Sequence, residues 1–316
     1  MEIVACADKG YVMPTGVMLY SVCVNNQDAD ITFHLIVDES VTQKARCDLK
    51  ETVEKFVNKR IVFYEVDSQR TKGLPTRTIF GITQAAYYRL YLTEIIPQTI
   101  DKVLYFDGDI IVRHSLASLW ETDLTGYAVA ATIDMSSANI EYYNRLRYPS
   151  DLGYFNSGVL LINLDYWRKH HVIKMFSDFI SNHSDIIRCE DQDVLNVVFC
   201  NHKLWLPVKY NLQHGFLKNK AKYDYWKYEK EVEEARKDPV IVHYTSFKPW
   251  EKNTKEIHPF SSSFKKYQKQ TIWKNMIIDK RSIMSKIRIF IGQILRHFGL
   301  RQRSKTNFYI DVLPVD

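Results

Sequence analysis

Cysteine is sparse and unpatterned in this sequence. The five cysteines, Cys6, Cys23, Cys47, Cys189 and Cys200, are odd in number and form no C-x-x-C pair. That spacing excludes a disulfide framework and a zinc knuckle, and leaves buried reduced thiols as the reading. Long apolar runs are missing as well, since no segment approaches the roughly 18 to 20 uncharged apolar residues that span a bilayer. The opening Met1-Glu2-Ile3-Val4-Ala5-Cys6-Ala7-Asp8 lacks a basic stretch and carries an acid at its second position. It is unlike a secretory signal, so a cytoplasmic protein is expected. No internal repeat occurs, and no linker rich in proline, glycine or serine interrupts the chain before about residue 260. With 46% hydrophobic and 25% charged residues in 316, disorder, an extended coiled coil and a low-complexity polymer are all excluded, and a sizeable core is within reach.

Acids are absent from one place in particular. Between Lys280 and Lys305 stand eight basic residues, Lys280, Arg281, Lys286, Arg288, Arg296, Arg301, Arg303 and Lys305, and no aspartate or glutamate. Taking those eight from the formal charge of +6 leaves −2 on the rest, so the positive field belongs to a C-terminal appendage and the main body is nearly neutral.

The first third alternates short β-branched or aromatic runs with longer helical spacings. Glu2 to Ala7, Ile31 to Val37, Ile61 to Val66 and Val103 to Phe106 read as strands; Pro14 to Val24, Val41 to Val57 and Thr83 to Thr93 read as helices. Further on, Tyr127 to Thr132, Phe155 to Asn163 and Val240 to Val242 read as strands, with helices over Leu164 to Phe179 and Asp191 to Phe199. Strands alternating with helices predict an α/β fold around a mainly parallel central sheet. A single domain over residues 1–262, followed by a tail over 263–316, is the expected organisation.

Asp107-Gly108-Asp109 follows the apolar run Val103 to Phe106 and precedes Ile110-Ile111-Val112. Ligands bind beyond the carboxyl ends of strands in doubly wound sheets. Two aspartates spaced i and i+2 there can direct oxygens at one hard divalent cation, and the glycine lets backbone approach a phosphate. Mg²⁺ or Mn²⁺ bridging to a diphosphate is the natural occupant, although Asp-Gly-Asp is also a common turn. His243 ends the run from Val240, and an imidazole joining two aspartates favours Mn²⁺ over Mg²⁺. Lys248, ahead of Pro249-Trp250, offers a charge that could neutralise a departing diphosphate.

Taken together, these blocks resemble the family 8 glycosyltransferases, the retaining group that includes bacterial lipopolysaccharide galactosyl- and glucosyltransferases and glycogenin. The resemblance covers about residues 2 to 260. It rests on Ala7-Asp8-x-x-Tyr11, Tyr88-Arg89-Leu90, Tyr105-Phe106-Asp107-Gly108-Asp109, Tyr154-Phe155-Asn156-Ser157-Gly158-Val159, Asp191-Gln192-Asp193-Val194-Leu195-Asn196, and His243 with Lys248-Pro249-Trp250. The resemblance implies a Rossmann-like nucleotide-diphospho-sugar transferase domain of the GT-A type. By the same resemblance Asp107, Asp109 and His243 would hold Mn²⁺, Asp8 would accept from uracil and Tyr11 would stack on it. Ala7 and Gly108 would border the nucleotide, and Arg89 would contact the donor. Asn156, Ser157, Gly158, Asp191 and Gln192 would line the sugar ring, and Lys248 would hold the diphosphate. Two departures stand out: Tyr244-Thr245-Ser246-Phe247 is short and glycine-free where the family often has a glycine, and Gly10 stands where relatives commonly carry a polar residue.

The implied reaction is transfer of galactose or glucose from a UDP-sugar to a glycan or lipid-linked acceptor, with retention. In this family Gln192 stands where a retaining glycosidase has its carboxylate, so front-face attack is the expected route and Asp191 the alternative nucleophile. Two other readings compete: a haloacid-dehalogenase-type phosphatase, whose opening motif is also a strand ending in D-x-D, and a catalytically silent carbohydrate- or membrane-binding module. In the tail, Ile283, Ile287, Phe290, Ile291, Ile294, Leu295 and Phe298 recur at helical steps. With Lys286, Arg288 and Arg296 on the other faces, they predict a helix lying on an anionic membrane surface, peripheral at its inner face, beside a lipid-borne acceptor. Nucleic acid is not an expected partner, because no basic and aromatic groove is legible elsewhere.

Overall fold

The computed structural model describes residues 1–76, 84–218, 228–252, 257–278 and Ile291. Its first strand, β1 (Glu2–Ala7), is buried on both faces, as a continuous apolar run demands of a central parallel strand. The chain turns at Asp8 and enters α1 (Val12–Asn25), a helix buried almost all round and carrying Pro14 in its first turn, where the missing N–H breaks no bond. Next come β2 (Ile31–Val37), α2 (Gln43–Glu54) with its start capped by the Thr42 side chain, and β3 (Lys59–Glu65). A 3-10 segment, Gln84–Tyr91, runs into the short α3 (Leu92–Ile95) and is followed by β4 (Lys102–Phe106) and β5 (Ile110–Val112). Then follow α4 (Ala117–Trp120), β6 (Val129–Ile133), α5 (Ile140–Leu146), β7 (Phe155–Asn163), α6 (Leu164–Lys169), α7 (Val172–His183) and α8 (Glu190–Val198). The described chain is completed by β8 (Lys203–Trp205), β9 (Leu212–Gln213), α9 (Glu229–Lys237), β10 (Ile241–His243) and α10 (Ser261–Gln268).

Seven strands form the main sheet in the order β3-β2-β1-β4-β7-β6-β8. All are parallel except β7, which runs antiparallel to both its neighbours, β4 and β6. The sheet is therefore mainly parallel, as the alternation of strands and helices predicts. An aspartate follows the last residue of β1, β2, β4 and β6 directly, at Asp8, Asp38, Asp107 and Asp134. The carboxyl edge of the sheet is thus acidic. Because β7 enters from that edge, its first residues, Asn156 to Gly158, lie there too.

A smaller sheet, β5-β10-β9, continues from it. The turn Asp107-Gly108-Asp109 carries the chain from β4 in the first sheet to β5 in the second. Antiparallel pairing sets His243 opposite Ile110, and Tyr244 N donates to Asp109 O at 2.9 Å. One apolar core fills the α1 and α2 face of the main sheet and a second the face covered by residues 87–92 and α6 to α8. A third packs α9 and α10 on the small sheet.

Several expected boundaries move. The helix expected over Leu164 to Phe179 is two helices, broken where His171 takes a left-handed φ of 49°. The expected helix from Thr83 is the 3-10 segment, within which Tyr87, Tyr88, Arg89 and Leu90 are all buried and Arg89 Nε takes the Ala86 carbonyl. Burying four consecutive side chains is incompatible with an amphipathic α-helix, which has one buried stripe. Residues 263–278, assigned by sequence to the tail, pack on the body: Phe264 is fully buried, Tyr267 accepts from Asn25, and Trp273 lies against Gly16 of α1. Ile278 pairs with Trp250 and Lys252 through backbone bonds of 2.8 and 2.9 Å. The basic helix expected over 280–298 lies outside the described residues, Ile291 excepted. No helix among the described residues is long and apolar enough to cross a membrane.

Candidate active site

A cavity of about 370 Å³ opens at the carboxyl edge of β1 and β4. Its wall includes Asp8, Tyr11, Arg89, Asp107, Gly108, Asp109, Asn156, Ser157, Asp191, Gln192, His243 and Lys248. Six separate stretches of sequence thus meet in one hollow. Ala7 and Gly158, expected to border a ligand, do not line it: Ala7 is enclosed within the sheet, and Gly158 lies beneath His243 and Asp107.

The two aspartates divide their oxygens in the same way. Asp107 Oδ1 accepts from Arg89 Nη2 at 2.8 Å and from the Tyr105 hydroxyl at 3.2 Å, while its Oδ2 faces His243 Nε2 at 3.9 Å. Asp109 Oδ2 accepts from Lys248 Nζ, while its Oδ1 lies 3.2 Å from the same Nε2. One oxygen of each carboxylate is thereby held by a cationic side chain and the other is turned toward the imidazole. The three ligand atoms of Asp107, Asp109 and His243 all lie within 4.8 Å of one another. Bonds from oxygen and imidazole to divalent ions run about 2.0 to 2.2 Å, which puts two ligands of one ion about 3 to 4.4 Å apart. The donor set fits a hard or borderline divalent cation.

Two glycines make this approach possible. A Cβ on Gly158 would stand 2.2 Å from His243 Cε1, and one on Gly108 would stand 2.4 Å from Thr15 Oγ1 and 3.1 Å from Tyr11 Cδ1. Asp8 caps its own turn, its Oδ1 accepting from Gly10 N at 2.8 Å and Tyr11 N at 3.2 Å. Tyr11 is thereby presented to the cavity beside Gly108.

Arg89 is more deeply placed than its expected donor contact requires. It is 4% exposed, lies over the Tyr105 ring, donates to Ser157 O at 2.6 Å and pairs with Asp191 Oδ2 at 3.0 Å as well as with Asp107. Burial disfavours its charge, but Asp107 and Asp191 more than compensate and hold it as a cation. Its position makes it a clamp between two carboxylates of the wall. Burial pushes the Asp191 carboxyl up to about 7 against the pull of Arg89, with Asp107 and Glu190 adding to the rise. Burial also opposes charge on Asp109, yet the Lys248 ammonium outweighs it and holds that carboxyl well below the usual range. Lys248, expected on a diphosphate, is held here between Asp109 and the Tyr244 carbonyl.

Gln192 is fixed at both ends of its amide: Oε1 accepts from Ser157 N at 2.9 Å and Nε2 donates to Asp134 Oδ2 at 3.3 Å. Asp193 points away from the cavity. It is fully buried and takes Arg145 in two bonds of 2.6 and 3.1 Å, the Tyr154 hydroxyl at 2.8 Å, and the backbone N–H groups of Arg188 and Cys189 at 2.6 and 2.8 Å. It shapes the loop that carries Asp191 and Gln192 into the cavity. Sequence reading missed Asp134, Asn211 and Arg145. Only Asp134 left a signal, as an aspartate after a buried strand.

An acidic strand edge with a divalent-cation donor set beside a hollow, on this mixed sheet, is the arrangement that a sugar-transferring enzyme of the GT-A type needs. The comparisons agree. The profile described as glycosyl transferase family 8 matches residues 2–254, and the chain belongs to that family. It is 30% identical to general stress protein A of Bacillus subtilis (strain 168), over 86% of this chain and 94% of that one. It is 29% identical to a lipopolysaccharide 1,2-glucosyltransferase of Escherichia coli, over 87% and 85%. Among solved structures, the galactosyltransferase LgtC in complex with donor and acceptor sugar analogues superposes with a TM-score of 0.76 at 28% identity, over 86% of this chain and 96% of that one. Family membership sets aside the phosphatase reading, and β4 is the fourth strand in sequence, where that class has its motif on the first.

Proposed function

We propose that this chain is a retaining, Mn²⁺-dependent hexosyltransferase that moves galactose or glucose from a UDP-sugar to a glycan or lipid-linked acceptor in lipopolysaccharide or other cell-surface polysaccharide synthesis. The observation that carries the proposal is the shared pattern at Asp107 and Asp109, each with one oxygen held by a cation and the other facing His243 Nε2. The likeness to LgtC, solved with donor and acceptor sugar analogues, supports a nucleotide-sugar donor and a sugar acceptor.

Asp107, Asp109 and His243 are the residues that hold the cation, and Mg²⁺ is the substitute their oxygens would accept. When bound, the cation supplies Lewis-acid stabilisation of the departing diphosphate. Tyr11 stacks on the uracil and the free oxygen of Asp8 accepts from it. Lys248, beside Asp109, adds positive charge where the diphosphate develops its own. Asn156, Ser157 and Gln192 border the sugar. Gln192 is a poor nucleophile with both ends of its amide occupied, so the acceptor hydroxyl attacks from the face the diphosphate leaves, and a donor phosphate oxygen takes its proton. Asp191 is held by Arg89 beneath the same wall; a glycosyl adduct trapped on it would replace this route by double displacement.

The tail bears on the location. Its eight basic residues without an acid between Lys280 and Lys305, each contributing about 1 kcal/mol near an anionic surface, support a peripheral position at the inner face of the cytoplasmic membrane. The catalytic domain itself extends through residue 278.

A screen of UDP-sugars with Mn²⁺ tests the activity. Slow UDP release from one UDP-hexose, and an α-linked product by NMR, are expected; phosphate release from phosphomonoesters, or a β-linked product, refutes it. Truncation before Lys280 should free the protein from anionic vesicles while sparing UDP-sugar hydrolysis. Loss of hydrolysis on truncation would show the tail to be part of the folded body instead.

A further inference from the structure

Behind the wall of the cavity runs a chain of side-chain amides that the proposed roles leave unexplained. Asn211, fully buried immediately before β9, places Oδ1 3.0 Å from His243 Nδ1 and donates from Nδ2 to Asn156 Oδ1 at 2.8 Å. That same Asn156 oxygen accepts from Gly158 N at 3.0 Å, and Asn156 Nδ2 donates to Asp134 Oδ2 at 3.0 Å. Gln192 Nε2 reaches the same Asp134 oxygen. An unbroken relay thus joins His243 to Gln192 through Asn211, Asn156 and Asp134.

Its polarity follows from one group. A backbone N–H can only donate, so Gly158 obliges Asn156 to turn its amide oxygen inward and its NH₂ toward Asp134. Asn211 must then offer its own NH₂ to that oxygen, which leaves its Oδ1 toward His243. An amide oxygen 3.0 Å from Nδ1 demands a proton there, since two lone pairs would otherwise face each other. A neutral imidazole, the form that a cation seated between Nε2 and the two carboxylates requires, carries one proton, so Nε2 is then the bare nitrogen. Nε2 is the nitrogen that faces Asp107 and Asp109.

We infer that Asn211 is the positioning residue that holds His243 in its metal-ligating tautomer, and that the β7 backbone sets this choice through Asn156. The inference rests on the cation site proposed above and adds to it a residue that does not line the cavity. Asn211 touches neither the cation nor the donor; it acts only through the imidazole. Groups that orient a ligating imidazole are typically worth 10- to 100-fold in metal affinity.

The test is a Mn²⁺ titration followed by electron paramagnetic resonance on the full chain without sugar donor, alongside thermal melts. Asn211→Leu removes both hydrogen bonds at similar volume and should weaken Mn²⁺ binding 10- to 100-fold. Asn211→Asp keeps an acceptor toward Nδ1 and loses only the donor to Asn156; it should melt lower yet bind Mn²⁺ as wild type does. In a His243→Ala background, Asn211→Leu should add no further loss, because the two residues act as one unit. The inference is overturned if Asn211→Leu binds as wild type, if a folded Asn211→Asp is as weak as Asn211→Leu, or if the loss persists in full without His243. Should Asn211→Leu fail to fold, Asn211→Ala takes its place with the same expected loss: weakened Mn²⁺ binding beside an unchanged Asn211→Asp supports the role, and wild-type affinity in a folded Asn211→Ala removes it. A wild type that binds no Mn²⁺ refutes the cation site itself and the inference with it, whereas tight wild-type binding with an indifferent Asn211 refutes the inference alone.

Discussion

Gly158→Ala adds one methyl group and should disable the site without touching a ligand. The added Cβ would lie 2.2 Å from His243 Cε1, 2.7 Å from its Nδ1 and 2.9 Å from Asp107 Oδ2. Carbon atoms in contact rest about 3.5 to 4.0 Å apart, so the imidazole must retreat by about 1.3 Å or more. The strand cannot yield instead, because Gly158 O accepts from Asp107 N at 2.8 Å and Gly158 N donates to Asn156 at 3.0 Å. Metal sites tolerate deviations of about 0.2 Å, so His243 would be present but out of reach. Mn²⁺ affinity should fall on the order of 100-fold, or about 2.8 kcal/mol at 1.4 kcal/mol per tenfold, and transfer should fall with it. Overpacking should also cost about 1 to 3 kcal/mol of stability. Gly126→Ala is the matched control: its φ of 81° strains an alanine but nothing lies within 4 Å, so it should lose about 1 to 2 kcal/mol and no metal affinity. Denaturant unfolding, Mn²⁺ titration and UDP-sugar hydrolysis on both variants decide the matter. A Gly158→Ala protein with wild-type Mn²⁺ affinity would refute the steric reasoning, as would a Gly126→Ala protein that loses as much.

Replacing Asp107, Asp109 or His243 by alanine should abolish transfer while the protein still unfolds cooperatively, and EDTA should mimic all three; wild-type activity in EDTA would remove the metal assignment. Asp193→Asn leaves half-buried Arg145 without its charged partner and weakens the bonds gathered on a fully buried carboxylate, and should cost about 1 to 3 kcal/mol in urea unfolding; an unchanged midpoint would show the pair to be dispensable. Burial pulls the Lys203 ammonium down to about 8 from an ordinary 10.5, so between those values the unfolded chain binds more protons and this group's contribution to stability rises with pH. Lys203→Met should therefore be most favourable relative to wild type near neutral pH and lose that advantage as pH climbs through the window, measured by urea unfolding at several pH values; a pH-independent difference would refute the assignment.

Much of the frame was legible before any coordinates. β7 matches its expected span, and β1, β2 and β4 lie within a residue of theirs, because strands buried on both faces are continuous apolar runs between polar turns. Asp107, Asp109 and His243 were legible as a set only through the order of the surrounding blocks, since each alone is an ordinary turn or strand-end residue. The helix expected from Leu164 to Phe179 failed where apolar spacing continues across a backbone break at His171. That Phe264 and Trp273 pack on α1 and the small sheet was not legible, because their partners lie far away in sequence.

Local patterning, then, determined by itself the alternation of strands and helices, the mainly parallel sheet and the acidic residues at strand ends, because those depend on neighbours a few positions apart. Which carboxylate oxygen meets which cation, that Arg89 clamps Asp107 to Asp191, and that Asn211 stands behind His243 were decided by the tertiary structure alone. Those relations join residues 18 to 139 positions apart. The contacts of Lys248 and Asn211 exist only once β5, β9 and β10 have brought the second sheet against the edge of the first, and those of Arg89 only once its 3-10 segment and α8 pack on the main sheet.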